Sequence, residues 1–202
     1  MNNDTTANPA PLGLMGFGMT TILLSLSNAG FFAMGGAILM MGLLYGGAAQ
    51  ITAGLMEWKK GNTFGLTAFT SYGVFWVALV GINLLPRLGL AGPESAQVMG
   101  VFLLLWGVFT AYMFVGTLNT NRTMQLVFGS LAATFFALAV ADYFELAGLK
   151  TAAGFLGLVP GVSAIYLAMG QVLNEALGRP VIPLFPVRKA AKASPAVKEA
   201  AE

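Results

Sequence analysis

Long apolar segments alternate with short polar stretches along the chain, and the lengths of the apolar segments predict its architecture. No charged side chain lies between Asp4 and Glu57. A helix needs about 20 apolar residues to cross the roughly 30 Å hydrocarbon core of a bilayer, so this stretch is long enough for two crossings. A polar turn that contains glycine divides it at residues 27–30. We therefore predict helices over residues 11–27 and 31–55.

Four more helices are predicted in the same way. Pro86 and Arg87 end the third apolar segment, and Ser95 stands where it can cap the start of the fourth. These predicted helices cover residues 64–85, 96–118, 123–144 and 151–177. The chain is thus predicted to be an all-α integral membrane protein with six transmembrane helices. Residues 1–178 form its transmembrane domain, and residues 179–202 form a basic, weakly ordered cytoplasmic tail.

Composition supports a membrane location and excludes several kinds of chemistry. The chain is 57% hydrophobic and only 9% charged, whereas soluble domains carry about 25% charged residues. It contains no Cys and no His, which excludes disulfides, Cys/His metal sites and Ser-His or Cys-His nucleophiles. We therefore expect no enzymatic activity, no metal and no cofactor. The net charge of only +2 gives no reason to expect nucleic-acid binding.

The positions of Lys and Arg predict the orientation in the membrane. With six helices, the N-terminus, the 2–3 and 4–5 loops and the tail share one side. That side holds eight of the ten basic residues, namely Lys59, Lys60, Arg122, Arg179, Arg188, Lys189, Lys192 and Lys198. Only Arg87 and Lys150 lie on the other. Basic loops face the cytoplasm, so both termini are expected there, in a multi-pass protein of the cell membrane. No basic residue precedes the first helix, which we expect to be a span rather than a cleaved signal peptide.

A recurring pattern indicates three helical hairpins. The even-numbered helices carry a tyrosine followed five residues later by a polar residue, in the pairs Tyr45 and Gln50, Tyr112 and Thr117, and Tyr166 and Gln171. The odd-numbered helices align at Phe17-Gly18, Tyr72-Gly73 and Leu131-Ala132. Repeated hairpins are how many transporters build a path at the repeat interface. The alternative interpretation is that these tyrosines belong to an interfacial aromatic belt.

The polar residues within the predicted helices favour a small, weakly charged or protonatable solute. The helix interiors contain no Lys or Arg, but they contain hydroxyls and amides such as those of Thr20 and Gln50. Glu57, at the end of the second helix, is either a loop charge or a path residue. Asp142 and Glu145, near the outer end of the fifth helix, belong either to the membrane interface or to a vestibule or proton relay.

Two motifs carry a resemblance to a known family. The first runs from Asn8 to Leu14 with the sequence NPAPLGL. The second is KGNTFG from Lys60, followed by TAF and SYG up to Gly73. Together they resemble the acetate uptake transporter family, also called succinate–acetate permeases. The resemblance covers nearly the whole chain, although residues 181–186 only approximate the Leu-Pro-Leu-Gly ending of that family.

The resemblance implies a homohexamer of the plasma membrane that moves acetate, related short monocarboxylates and sometimes succinate, by proton-coupled symport or as an anion channel. Each protomer would have its own path, narrowed by a hydrophobic constriction at Phe17, Tyr72 and Leu131, and Ala164 would influence substrate size. The constriction would offer apolar contact to the methyl group and the Tyr72 hydroxyl to the carboxylate. The further path-lining candidates are Asn8, Thr20, Tyr45, Gln50, Glu57, Tyr112, Tyr166 and Gln171.

Other functions fit the sequence less well. Asn8-Pro9-Ala10 is also the motif of water and glycerol channels, but those proteins need two copies on half-helices and this chain has one. A non-transporting membrane scaffold or an acetate sensor is the other alternative. An enzyme would need a nucleophile–base pair or a metal set that these residues do not supply.

Overall fold

The computed structural model describes residues 6–187 and contains the six predicted spans. They are α1 (Ala10–Asn28), α2 (Gly36–Lys59), α3 (Thr63–Leu84), α4 (Ala96–Gly116), α5 (Arg122–Tyr143) and α6 (Ala147–Ala176). Within the described residues the secondary structure is helical, apart from one antiparallel bridge between Asn121 and Pro186. The prediction of an all-α protein with six membrane-spanning helices is therefore confirmed.

Polar caps fix where three of the helices begin. The side chains of Asn62, Ser95 and Asn121 accept hydrogen bonds from the backbone N–H groups of Gly65, Val98 and Met124, at 3.1, 3.2 and 2.7 Å. These caps satisfy backbone donors that have no partner within the helix. The predicted cap at Ser95 is confirmed.

The second helix differs from its prediction in position and in kind. It begins at Gly36 rather than at residue 31, because the glycine pair Gly35-Gly36 separates it from an exposed loop. Between Gly42 and Ala49 it is a π-helix. A Cβ atom on Gly46 would lie 2.7 Å from Cγ of Trp76, so the glycine lets the indole of α3 press against this wider turn. Helices of this kind occur frequently at functional sites.

Each odd-numbered helix packs closely against an even-numbered helix from another hairpin. The pairs are α1 with α6, α3 with α2 and α5 with α4. Glycines lie at these contacts, as is usual where membrane helices approach closely. A Cβ on Gly161, Gly47 or Gly107 would lie 2.7, 2.9 or 2.8 Å from the side chain of Ile22, Val77 or Phe136, respectively. Ile22, Val77 and Phe136 lie five residues after Phe17, Tyr72 and Leu131, respectively.

The same glycine contacts correct the predicted alignment of the even-numbered helices. Three residues after these glycines come the equivalent positions Gln50, Thr110 and Ala164. Ten residues after the glycines come a second equivalent set, Glu57, Thr117 and Gln171. The tyrosine pattern had matched Gln50 with Gln171, which is wrong by seven residues, or about two helical turns. The apolar contact surfaces set this register, and isolated polar residues do not reveal it.

The seam between α3 and α4 is made by aromatic side chains rather than by close backbones. The ring centroids of Phe75 and Trp106 lie 5.2 Å apart, and those of Tyr72 and Phe109 lie 5.3 Å apart. Both pairs are edge-to-face, a favourable geometry for rings. Side chains from both helices also line the far-side cavity described below.

Residues 179–187 cross the end of the bundle and are held there. Oδ1 of Asn174 accepts hydrogen bonds from the N–H groups of Val181 and Ile182 at 2.7 and 2.9 Å, and its Nδ2 donates to Ile182 O at 2.8 Å. Arg122 N–H donates to Phe185 O at 2.9 Å. The predicted weakly ordered tail is therefore wrong for these residues, while residues 188–202 lie outside the described part.

Candidate functional site

Two cavities lie in line inside the bundle. The N-side cavity, about 70 Å³, lies at the end where α1, α3 and α5 begin, and its lining includes Ala10, Asn62 and Met124. The far-side cavity, about 150 Å³, reaches the opposite ends of those helices. Three side chains line both cavities: Phe17, Tyr72 and Leu131.

These three shared residues form what we call the central layer. They come from α1, α3 and α5, and none is more than 6% exposed. The rings of Phe17 and Tyr72 lie 5.9 Å apart between centroids. The sequence pattern had matched these positions across the three hairpins, and the fold brings their side chains together.

The hydroxyl of Tyr72 is engaged in the wall of the bundle. It donates to Oγ1 of Thr110 at 2.9 Å, and Thr110 in turn donates to the carbonyl of Trp106 at 2.7 Å. The phenol proton therefore joins α3 to α4. The expectation that this hydroxyl is free to donate to a carboxylate is corrected, because its single proton is already used. The central layer presents mainly ring carbons and methyl groups.

The N-side cavity carries two of the predicted polar residues, Gln50 and Glu57. Glu57 is only 2% exposed, and its Oε2 accepts a hydrogen bond from Nδ2 of Asn62 at 2.7 Å. Oε1 of Gln50 is buried and has no hydrogen-bond partner among the described residues. A buried polar atom without a partner is rare in native proteins, which makes Gln50 a candidate contact for a solute.

The far-side cavity carries polar groups that the sequence analysis did not bring together. Asn28, Asn83 and Asp142 all line it. Each stands eleven residues after a member of the central layer, so they close α1, α3 and α5 at the same depth. Lys150, at the start of α6, donates to Oδ1 of Asp142 at 2.7 Å. This equal spacing was the signal available in the sequence. It was missed because Asn28 was interpreted only as part of a turn.

Several predicted path residues line neither cavity. They are Asn8, Thr20, Tyr45, Tyr112, Ala164, Tyr166 and Gln171. Tyr112 is 56% exposed and packs edge-on against Phe109, so it faces away from the bundle interior. Ala164 is fully buried between helices. Their place on the path therefore stays a prediction.

Local hydrogen bonds account for the positions of three others. The Thr20 hydroxyl donates to Gly16 O at 2.6 Å, back into its own helix. The Tyr166 hydroxyl donates to Pro183 O at 2.7 Å and so holds the C-terminal segment. Asn8 is exposed, and its Oδ1 accepts from Ala10 N–H at 3.1 Å at the start of α1. Among residues 6–187, no cluster of acidic side chains is suited to hold a metal ion.

Comparison with known proteins places this geometry in a family. The profile of the GPR1/FUN34/yaaH family matches residues 1–188. The chain belongs to this family. The resemblance carried by the two sequence motifs is thereby confirmed, and the six apolar helices make this GPR1/FUN34/yaaH member a multi-pass membrane protein.

Two relatives of this GPR1/FUN34/yaaH protein are named as transporters. The Succinate-acetate/proton symporter SatP of Escherichia coli (strain K12) is 61% identical over 184 residues, which cover 91% of this chain and 98% of that one. Acetate permease A of Emericella nidulans is 34% identical over 196 residues, covering 88% of this chain and 65% of that one. A solved structure, described as that of the bacterial acetate channel SatP, matches with a TM-score of 0.88 and 61% identity, covering 89% of this chain and 99% of that one.

Proposed function

We propose that this chain moves acetate and related short carboxylates, including succinate, across the cell membrane through a path inside each protomer. The observation that carries the proposal is the meeting of two cavities, from opposite ends of the bundle, at one buried apolar layer of Phe17, Tyr72 and Leu131. The 61% identity to a succinate-acetate/proton symporter supports the choice of substrate.

The central layer acts as the constriction of this path. A hydrated ion that enters it loses water without gaining hydrogen bonds, which is costly. The methyl group of acetate finds apolar contact there, and protonation of its carboxylate lowers the cost of dehydration. Because the hydroxyl proton of Tyr72 is donated to Oγ1 of Thr110, we infer that a proton crossing this layer travels on the substrate itself.

The remaining features of the proposal concern orientation and assembly. Among the described residues, four basic side chains lie at the end of the N-side cavity and two at the other end, namely Lys59, Lys60, Arg122 and Arg179 against Arg87 and Lys150. We therefore place the N-side cavity toward the cytoplasm. We also propose that the protein is a homohexamer, as the family resemblance implies. The apolar outer face of α4, with Val101, Leu105 and Val108 exposed, is available for contacts between protomers.

Reconstitution tests transport directly. Purified protein in sealed liposomes should take up labelled acetate faster than protein-free vesicles do, and an acetate gradient should change internal pH if a proton accompanies the substrate. A membrane potential should drive uptake instead if the protein is an anion channel. Binding of acetate without any flux would indicate a sensor, and glycerol flux of similar size would indicate a neutral-solute channel. Either result would overturn the proposal.

A further inference from the structure

The far-side mouth of the path has a polar ring that the apolar constriction does not explain. Asn28, Asn83 and Asp142 lie at the ends of α1, α3 and α5 and line the far-side cavity. Nδ2 of Asn83 donates to Leu79 O at 2.8 Å, which leaves its second N–H and its carbonyl oxygen. The Asn28 side chain makes no hydrogen bond to the described residues. Amide donors are thus left available at this mouth.

Lys150 completes this ring with a positive charge. Among the described residues that line the two cavities, its side chain is the only cationic one. Its ammonium group is 2.7 Å from Asp142, and the two side chains are 45% and 12% exposed, respectively. Of the three donors of an ammonium group, one is used by this ion pair. The other two can reach a second acceptor.

The ion pair stands between the far-side cavity and open space. Asp142 and Lys150, together with Met99, also line a wider opening of about 420 Å³ whose rim includes Glu94 and Glu145. A solute that enters from this side therefore passes the ion pair before it reaches the central layer. The two further carboxylates at the rim disfavour an anion, so Lys150 is the group there that attracts one.

We propose that Lys150, Asn28 and Asn83 form an entry site for the carboxylate group of the substrate, and that Asp142 occupies Lys150 until the substrate replaces it. The inference rests on the proposed function and adds the residues that recognise the carboxylate before the constriction. Asp142 carries the same chemical group as the substrate, so the exchange replaces one charge-assisted hydrogen bond with another. Asp142 can then turn toward water in the wider opening.

This arrangement makes a prediction that a structural ion pair does not make. If the pair only holds α5 to α6, removing either charge weakens the same contact and has the same effect. If the substrate competes with Asp142 for Lys150, removing the two charges has opposite effects. Lys150→Gln should then weaken capture of acetate, whereas Asp142→Asn should strengthen it.

The test measures initial uptake of labelled acetate against external concentration, at neutral pH, in cells that express each variant. Lys150→Gln should raise the half-saturating concentration by about three- to tenfold, the range expected for one partly exposed charge-assisted hydrogen bond. Asp142→Asn should lower it, and Lys150→Arg should stay near the wild type. Maximal flux should change little in these variants, since the constriction is untouched. Arg87→Gln is the matched control, because it removes a cation at the same end that does not line the cavity.

Equilibrium dialysis of labelled acetate with the purified proteins gives a second readout that does not require transport. Opposite shifts for Lys150→Gln and Asp142→Asn support the site. Equal values for Lys150→Gln and Arg87→Gln, or weaker binding in both Lys150→Gln and Asp142→Asn, overturn it. If Lys150→Gln fails to fold, the sign of the change in Asp142→Asn decides. Failure of the wild type to conduct acetate would instead overturn the proposed function, while dialysis would still test the site.

Discussion

Leu131→Ala tests whether the central layer sets the size limit of the path. Leu131 is 4% exposed and borders both the far-side and the N-side cavity. Truncation to alanine removes the branched end of its side chain and joins spaces of about 150 and 70 Å³. Phe17 and Tyr72 remain, so the layer stays apolar but becomes wider.

The expected effect is a change in selectivity rather than a general gain. When an apolar wall rejects one extra methylene-sized group, the larger solute is disfavoured by about 1–3 kcal/mol. This corresponds to a rate that is lower by about tenfold or more. Lactate is larger than acetate by one CH(OH) group, somewhat more than a methylene, so the ratio of lactate to acetate flux should rise about tenfold in the variant. The folded state should lose about 2 kcal/mol, the low end for buried leucines, since cavities already border this side chain.

The assay compares initial rates of labelled lactate and acetate in liposomes that contain equal amounts of protein. Leu126→Ala serves as the matched control, because that leucine lies one and a half turns earlier on α5 and is 51% exposed. An unchanged ratio in Leu131→Ala, with normal thermal stability and vesicle integrity, would show that Leu131 does not limit the path. An equal rise of the lactate-to-acetate ratio in Leu126→Ala would show that the effect comes from general loosening of the helix bundle.

Two further predictions concern the helices that support the path. Gly46→Ala should lower acetate flux several-fold. A Cβ there would lie 2.7 Å from Cγ of Trp76 and would push the indole toward the far-side cavity. Overpacking of this kind lowers the stability of the folded state by about 1–3 kcal/mol. Gly81→Ala, with no atom within 4 Å of its added Cβ, is the control, and equal flux in both variants would contradict the reasoning. Asn174→Ala should speed hydrogen exchange at the amides of Val181 and Ile182, because it removes the three hydrogen bonds that hold them. The exposed Asn119 supplies the control variant Asn119→Ala, and unchanged exchange in Asn174→Ala would show that other contacts hold this segment.

The sequence pattern aligned three positions whose side chains lie together in the structure, while their role as a constriction stays a prediction. The central layer was found because Phe17, Tyr72 and Leu131 begin similar apolar stretches on the odd-numbered helices. The even-numbered helices were harder to align, since Tyr112 faces the outside of the bundle and Tyr166 contacts the C-terminal segment. Tyr112 is the clearest case, with most of its ring outside the bundle. Inside a membrane an apolar residue suits both the core and the lipid face, so periodicity alone does not separate the two.

The sequence by itself determined that this is a six-helix membrane protein, where its helices begin and end to within a few residues, and which family it resembles. Backbone groups must be paired inside a bilayer, so long apolar segments are compelled to be helices. The tertiary structure decided the rest. It placed two cavities on either side of the central layer, turned the Tyr72 hydroxyl into the wall, and gathered Asn28, Asn83 and Asp142 beside Lys150. Those facts depend on helix rotation and depth, which are set by side-chain packing between segments far apart in the chain.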